Sequence, residues 1–186
     1  ACHIIILLFL SFPAFSQQDE ATGSLLQKLD SVQGSPSISR HFAALYLKVS
    51  VKAALHYSGA QKEIQQLMSR FEERFAGYFF MAARAYERGQ EIPASWETYY
   101  SDSNRSRLQY FLLGANAHIN GDIWKTLTNE FSPEELKKFR KPYYSFIRKL
   151  KDELRFVHGT VLDSVSGSRF FHDLLIGLDR HYAKWM

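Results

Sequence analysis

The stretch Tyr110-Phe-Leu-Leu-Gly-Ala-Asn-Ala-His-Ile-Asn-Gly-Asp122 constrains this chain more than any other part of it. Its apolar content predicts one buried helix that carries an imidazole, His118, and a carboxylate, Asp122, four residues apart. At about 100° per residue, Leu108, Leu112, Ala115 and Ile119 fall on one apolar stripe. Asp122 borders that stripe, and His118 lies roughly 40° further out. A carboxylate turned towards a core is costly unless a cation, a metal ion or a set of hydrogen-bond donors meets it. The fold must therefore bring such a partner to Asp122.

Helices make up the rest of the expected chain. Leu25, Leu26, Leu29 and Val32 form a short amphipathic helix ended by Gly34. Ser35-Pro36 then predicts the start of a second helix reaching about Tyr57, with Ile38, Phe42, Leu45, Val49, Ala53 and His56 on one face. A third, over about 61–88, buries Leu67, Phe71, Phe75, Tyr78, Phe79 and Ala82 and leaves Lys62, Glu63, Arg70, Glu72, Glu73 and Arg74 to solvent. Gly89 closes it, and Trp96 in the next connection is expected to plug the core. Asp102, Ser103 or Asn104 caps the central helix.

Ser132-Pro133-Glu134-Glu135 combines a cap, a proline at the first helical position and a capping-box glutamate. The helix it opens is expected to kink or restart near Pro142 and run to about His158. A loop to Ser168 and a last helix, Arg169 to Trp185, complete the chain. Phe and Tyr are abundant (15 and 10), Pro and Gly sparse (5 and 10), and no strand-like alternation or internal repeat appears. The expected fold is all-α, a single-domain bundle of about six helices over residues 17–186.

Ahead of it, Ile4 to Ser16 is an apolar run too short for a bilayer span of about 20 residues. It ends in Ala14-Phe15-Ser16, a small-x-small pattern, and gives way abruptly to Gln17-Gln-Asp-Glu20. Residues 1–16 therefore read as an export signal, and the expected location is periplasmic or extracellular. Cys2, the only cysteine, lies within that signal. The mature chain then has no thiolate, which excludes disulfides, zinc fingers and cysteine nucleophiles.

His118 and Asp122 at i, i+4 can reach one metal ion or each other. Neutral imidazole and carboxylate suit Zn²⁺ or another divalent ion, with further ligands from neighbouring helices. His56, on an apolar face, is the first candidate for a third ligand; Asp30, His41, His158, Asp163 and His172 follow. Asn116 and Asn120 form a second polar pair that could contact a ligand or support those that do. The competing reading is a buried imidazole–carboxylate hydrogen bond that fixes helix packing, with no metal.

Two resemblances bear on the choice. Leu113-Gly114-Ala-Asn-Ala-His118-Ile-Asn-Gly121-Asp122 resembles a segment of the zinc-dependent phospholipase C and single-strand nuclease family. In those secreted all-α enzymes the matching His and Asp hold zinc, and a three-zinc cluster hydrolyses phosphate esters. The family's Pro-x-His and His-x-x-x-Glu elements and its N-terminal ligand Trp have no counterpart here, where Ile123-Trp-Lys-Thr126 follows. A broader likeness, over about residues 40–125, joins Phe42-x-x-x-Tyr46-x-x-Val49-Ser50, Arg74-Phe-Ala-x-Tyr78-Phe, Trp96 and His-Ile-Asn-x-Asp. It resembles an uncharacterised bacterial all-helical family and implies a purpose for His118 and Asp122, with Tyr46 as a further binding or supporting residue.

The resulting expectation is an exported, metal-dependent hydrolase of phosphate esters with His118 and Asp122 as metal ligands, its partner a small-molecule or phosphate-ester ligand. The alternative is a non-catalytic ligand- or partner-binding domain with a structural His–Asp pair. A net charge of +4 does not demand nucleic acid, which is not an expected partner. The basic, aromatic run from Lys137 to Lys151 reads as an amphipathic helix that could make peripheral contact with an anionic membrane.

Overall fold

The computed structural model describes residues 20–161, with side chains to residue 150, and among them the protein is an all-α bundle. The export signal over residues 1–16 and the last helix from Arg169 lie outside the described residues. So do Asp163, His172 and the side chain of His158.

Helix α3 (Lys62–Glu87) is the central rod, touching α1 (Glu20–Gln33), α2 (Ser39–Tyr57), α6 (Ile123–Glu130) and α7 (Pro133–Val161). Phe71, Phe75 and Phe79 recur every four residues along it and are buried, which gives the core its axis. Phe139 of α7 packs on Phe71 at 4.7 Å between ring centroids, and Phe42 of α2 meets Phe79 edge-on at 5.1 Å. Its C-terminus is a Schellman motif: Gly89, at φ +62°, donates to Tyr86 O, and Gln90 N donates to Ala85 O.

α2 starts at Ser39, three residues after the Pro36 start expected from sequence, because Ser35 is already used to close α1. Its backbone N–H and its hydroxyl both donate to Val32 O. The first four N–H groups of α2 are then satisfied without a local side-chain cap at Ile38. Ser39 N donates to Ser37 Oγ, Arg40 N to Ser37 O, His41 N to Ile38 O, and Phe42 N to the hydroxyl of Tyr99. Tyr99 sits in α4 (Glu97–Tyr100), so α2 is capped by a side chain 57 residues away.

α5 (Arg107–Asn116) is opened by a capping box, with Ser106 Oγ accepting from Gln109 N and Gln109 Oε1 from Ser106 N. Ser106, not Asp102, Ser103 or Asn104, is the cap. α7 begins on the box read from sequence, Ser132 with Glu135, and Glu135 also pairs with Arg70 of α3. It then continues through Pro142 without restarting and extends past His158 to Val161, into the stretch expected to be a loop.

The largest departure from expectation lies in the central helix. Between α5 and α6 the chain widens into a π-helical turn, Ala117–Asp122. That turn resets the phase of the helix. Tyr110, Gly114, Ala115, Ala117, His118 and Asp122 are buried, whereas Leu108, Leu112 and Ile119 are only partly so. His118, expected outside the stripe, is buried together with Asp122.

Two close approaches lock the turn in place. A Cβ on Gly114 would collide with the Phe42 ring, and one on Gly121 with Cβ and Oγ of Ser95, in the 3-10 turn Ala94–Trp96. Gly121→Ala is expected to cost about 1–3 kcal/mol by overpacking. Removing the opposing atoms with Ser95→Gly should recover part of that loss in a double-mutant cycle measured by urea unfolding.

Candidate functional site

Asp122 lies at the end of the π turn and is 1 % exposed. Its Oδ2 accepts two hydrogen bonds, from His118 Nδ1 at 3.0 Å and from Trp96 Nε1 at 2.9 Å. Indole N–H only donates, so the indole requires an acceptor here. Carboxylate accepting at Nδ1 places the imidazole proton on that nitrogen and leaves Nε2 with a lone pair. The backbone oxygen of Asp122 is also used, by the buried hydroxyl of Thr126 at 2.9 Å.

Aromatic rings enclose His118. Phe75 stacks on it at 3.6 Å between centroids, Tyr46 meets it edge-on at 4.6 Å, and Phe42 lies at 5.4 Å. Burial pushes the imidazole pKa below its usual value, and the hydrogen bond and charge of Asp122 pull it part of the way back. The ring is therefore neutral at pH 7, with Nε2 as its acceptor. That atom is buried and has no partner.

It is not alone. Among the described residues, Tyr46 Oη, Ser50 Oγ and Glu72 Oε2 are also buried without a hydrogen-bond partner. Tyr46 and Ser50 are four apart on one face of α2, and Glu72 lies on α3, one turn before Phe75. Burial pushes the Glu72 carboxyl up to about 7, tempered by the nearby Ser50 hydroxyl. Burial first, and then the charges of Glu72, Asp122 and Tyr143, push the Tyr46 phenol well above its usual value. Tyr143 of α7 is raised by burial and then by the same Glu72. The polar groups thus run in series through the core: Asp122, His118, Tyr46, then Ser50 with Glu72.

Of the residues singled out from sequence, the structure brings His118, Asp122 and Tyr46 together. Asn116 and Asn120 bond to each other at 2.7 Å, but on the exposed side of the turn, away from the site. His56 is only half-buried and sits against Tyr57 and Phe146, ten residues and about 15 Å along α2 from Tyr46. His41 stacks on Tyr110 at 4.8 Å. No group of three or more His, Cys, Asp or Glu among the described residues is placed to hold a metal ion. With Asp122 Oδ2 already taking two N–H donors, the trio His118, Asp122 and His56 does not fit a metal centre.

Glu72 corrects the sequence reading, which put it in solvent with Glu73 and Arg74. The signal was present: Met68 and Ala76, four residues to either side, are both buried, so position 72 lies on an inward line. In the basic run of α7, Lys137, Lys141, Arg148 and Lys149 are exposed while Phe139 and Phe146 are buried, as an amphipathic helix requires. No described helix is long and apolar enough to cross a membrane. A surface groove between α1 and α3, lined by Leu25, Tyr78, Met81 and Arg84 among others, shares no residue with the buried site.

Residues 19–186 match the family of unknown function DUF5995, and the chain belongs to that family. No curated protein and no solved structure matches it.

Asp122→Ala, which strands two buried N–H donors, is expected to cost about 3–5 kcal/mol in chemical unfolding. Glu72→Gln should do the reverse. A carboxyl whose folded pKa lies above its unfolded value weakens the fold as pH rises between the two, here from 4.5 to about 7. In chelator-treated buffer, Glu72→Gln should therefore be more stable than the parent by up to about 3 kcal/mol at pH 8. That gain should vanish towards pH 4.

Proposed function

We propose that this member of DUF5995 is an exported helical domain that binds a small polar ligand in its interior, at the Nε2 atom of His118. One observation carries the reading: His118 Nε2 and Tyr46 Oη are both buried with no hydrogen-bond partner, and their rings are in contact. A buried polar atom left unsatisfied costs about 1–3 kcal/mol, so two neighbouring ones are a standing deficit that a bound species would relieve. Asp122 and Trp96 fix the direction of the imidazole, and preorganisation of that kind serves binding. Export is supported by the composition of residues 1–16.

A second reading, metal-dependent hydrolysis of phosphate esters, is favoured by one specific feature. The imidazole donates its Nδ1 proton to a carboxylate and presents Nε2, the arrangement that metal-bound histidines adopt. A metal ion there would polarise a phosphoryl oxygen and lower the pKa of bound water. In this reading Asp122 stands behind the ligand and is not itself a ligand.

Native mass spectrometry tests the first reading. Gently ionised protein is expected to carry a bound species that is absent from the denatured chain and from His118→Ala. A native mass equal to the chain alone, together with no rise in melting temperature on adding cell extract or metal salts, would remove it. Saturation at about 100 times Kd should stabilise the fold by about 2.7 kcal/mol. The hydrolase reading further requires zinc-dependent cleavage of bis(p-nitrophenyl) phosphate that EDTA abolishes.

A further inference from the structure

We propose that the outer faces of α7 and of the C-terminal half of α2 form one basic surface that docks on an anionic lipid membrane. This surface is separate from the interior ligand site and does not depend on it. Lys137, Lys141 and Arg148 are exposed and fall within about 40° of one another around α7. They stand opposite the buried rings of Phe139 and Phe146. No Asp or Glu occurs between Glu135 and Asp152, so the charge along that stretch is of one sign. α2, from Ser39 to Tyr57, likewise contains no acid.

The two helices meet where these faces adjoin. Tyr57 Oη donates to Pro142 O at 3.3 Å, and the His56 ring lies 5.7 Å from that of Phe146. Partial burial, and then the ammonium of Lys149, lowers the His56 pKa, which puts that cation beside α2. Next to His56, Leu55 is 57 % exposed. Lys48, seven residues earlier and so on the same side of α2, is exposed as well. Lys138 is paired with Glu63, but none of Lys48, Lys137, Lys141, Arg148 and Lys149 has a described acid for a partner. Each such cation favours an anionic lipid surface by about a factor of five. The exposed leucine selects lipid over nucleic acid. Beneath the phosphates of a membrane it meets acyl chains, whereas single strands are gripped by aromatic platforms.

Co-sedimentation of the full chain with phosphatidylglycerol or phosphatidylcholine vesicles tests this, at about 0.1 M and about 1 M salt, where the screening length shrinks from about 10 to about 3 Å. Residues 4–16 are apolar and would favour both vesicle types, so the readout is the excess on the anionic one. That excess is expected at low salt and should be lost at high salt. Lys137→Gln with Lys141→Gln should lower the anionic partition coefficient about 20–30-fold. Leu55→Ser should lower it about threefold or more, with the salt dependence kept. Lys28→Gln with Arg84→Gln removes the same charge from the groove between α1 and α3 and should bind as the parent does. All these side chains are exposed, so melting temperatures should match the parent's. The proposal is overturned if no anionic excess appears at low salt, if the excess survives high salt, or if the two double variants bind alike. Retention by single-stranded DNA without an excess on anionic vesicles would identify a different polyanion and equally overturn it.

Discussion

One carboxylate oxygen organises this protein. Asp122 Oδ2 takes the indole proton of Trp96 and the imidazole proton of His118, and so ties the 3-10 turn before α4 to the π turn between α5 and α6. Neither donor makes another hydrogen bond in the aromatic interior, where Phe42, Phe75 and Phe79 supply the surrounding surface. Because a buried charge without such donors would be strongly destabilising, the acid enforces the positions of both rings. The close approaches at Gly114 and Gly121 follow from that demand, since the turn must press against Phe42 and Ser95 to bring the acid to the indole.

The imidazole and the buried glutamate respond to pH in opposite senses. His118, with its pKa lowered, favours the fold above the ordinary histidine range and loses that advantage as pH falls below 6.5. Glu72, with its pKa raised, favours the fold most below 4.5 and loses that advantage as pH rises to about 7. Both charges are suppressed by the same cause, loss of water. The core thus holds an acid and a base within one polar series, with a phenol between them.

Much of this was legible in the sequence. The i, i+4 spacing of His118 and Asp122 announced their contact, Trp96 was placed in the core, and the Ser132–Glu135 box marked the start of α7. What escaped shares a physical origin. A constant 3.6-residue period cannot register a π turn, so His118 was placed beyond the stripe of Leu108, Leu112, Ala115 and Ile119, although it is buried beside Asp122. Glu72 escaped because neighbouring charges outvoted the buried line through Met68 and Ala76. The start of α2 escaped because its decisive partner, Tyr99, is remote in the chain.

That remote partner has a kinetic meaning. A helix whose first turn borrows a hydroxyl from 57 residues downstream has no complete start signal of its own. Nucleation is the costly step in helix formation, so α2 gains its last stabilising bond only after the chain through Tyr99 has folded back.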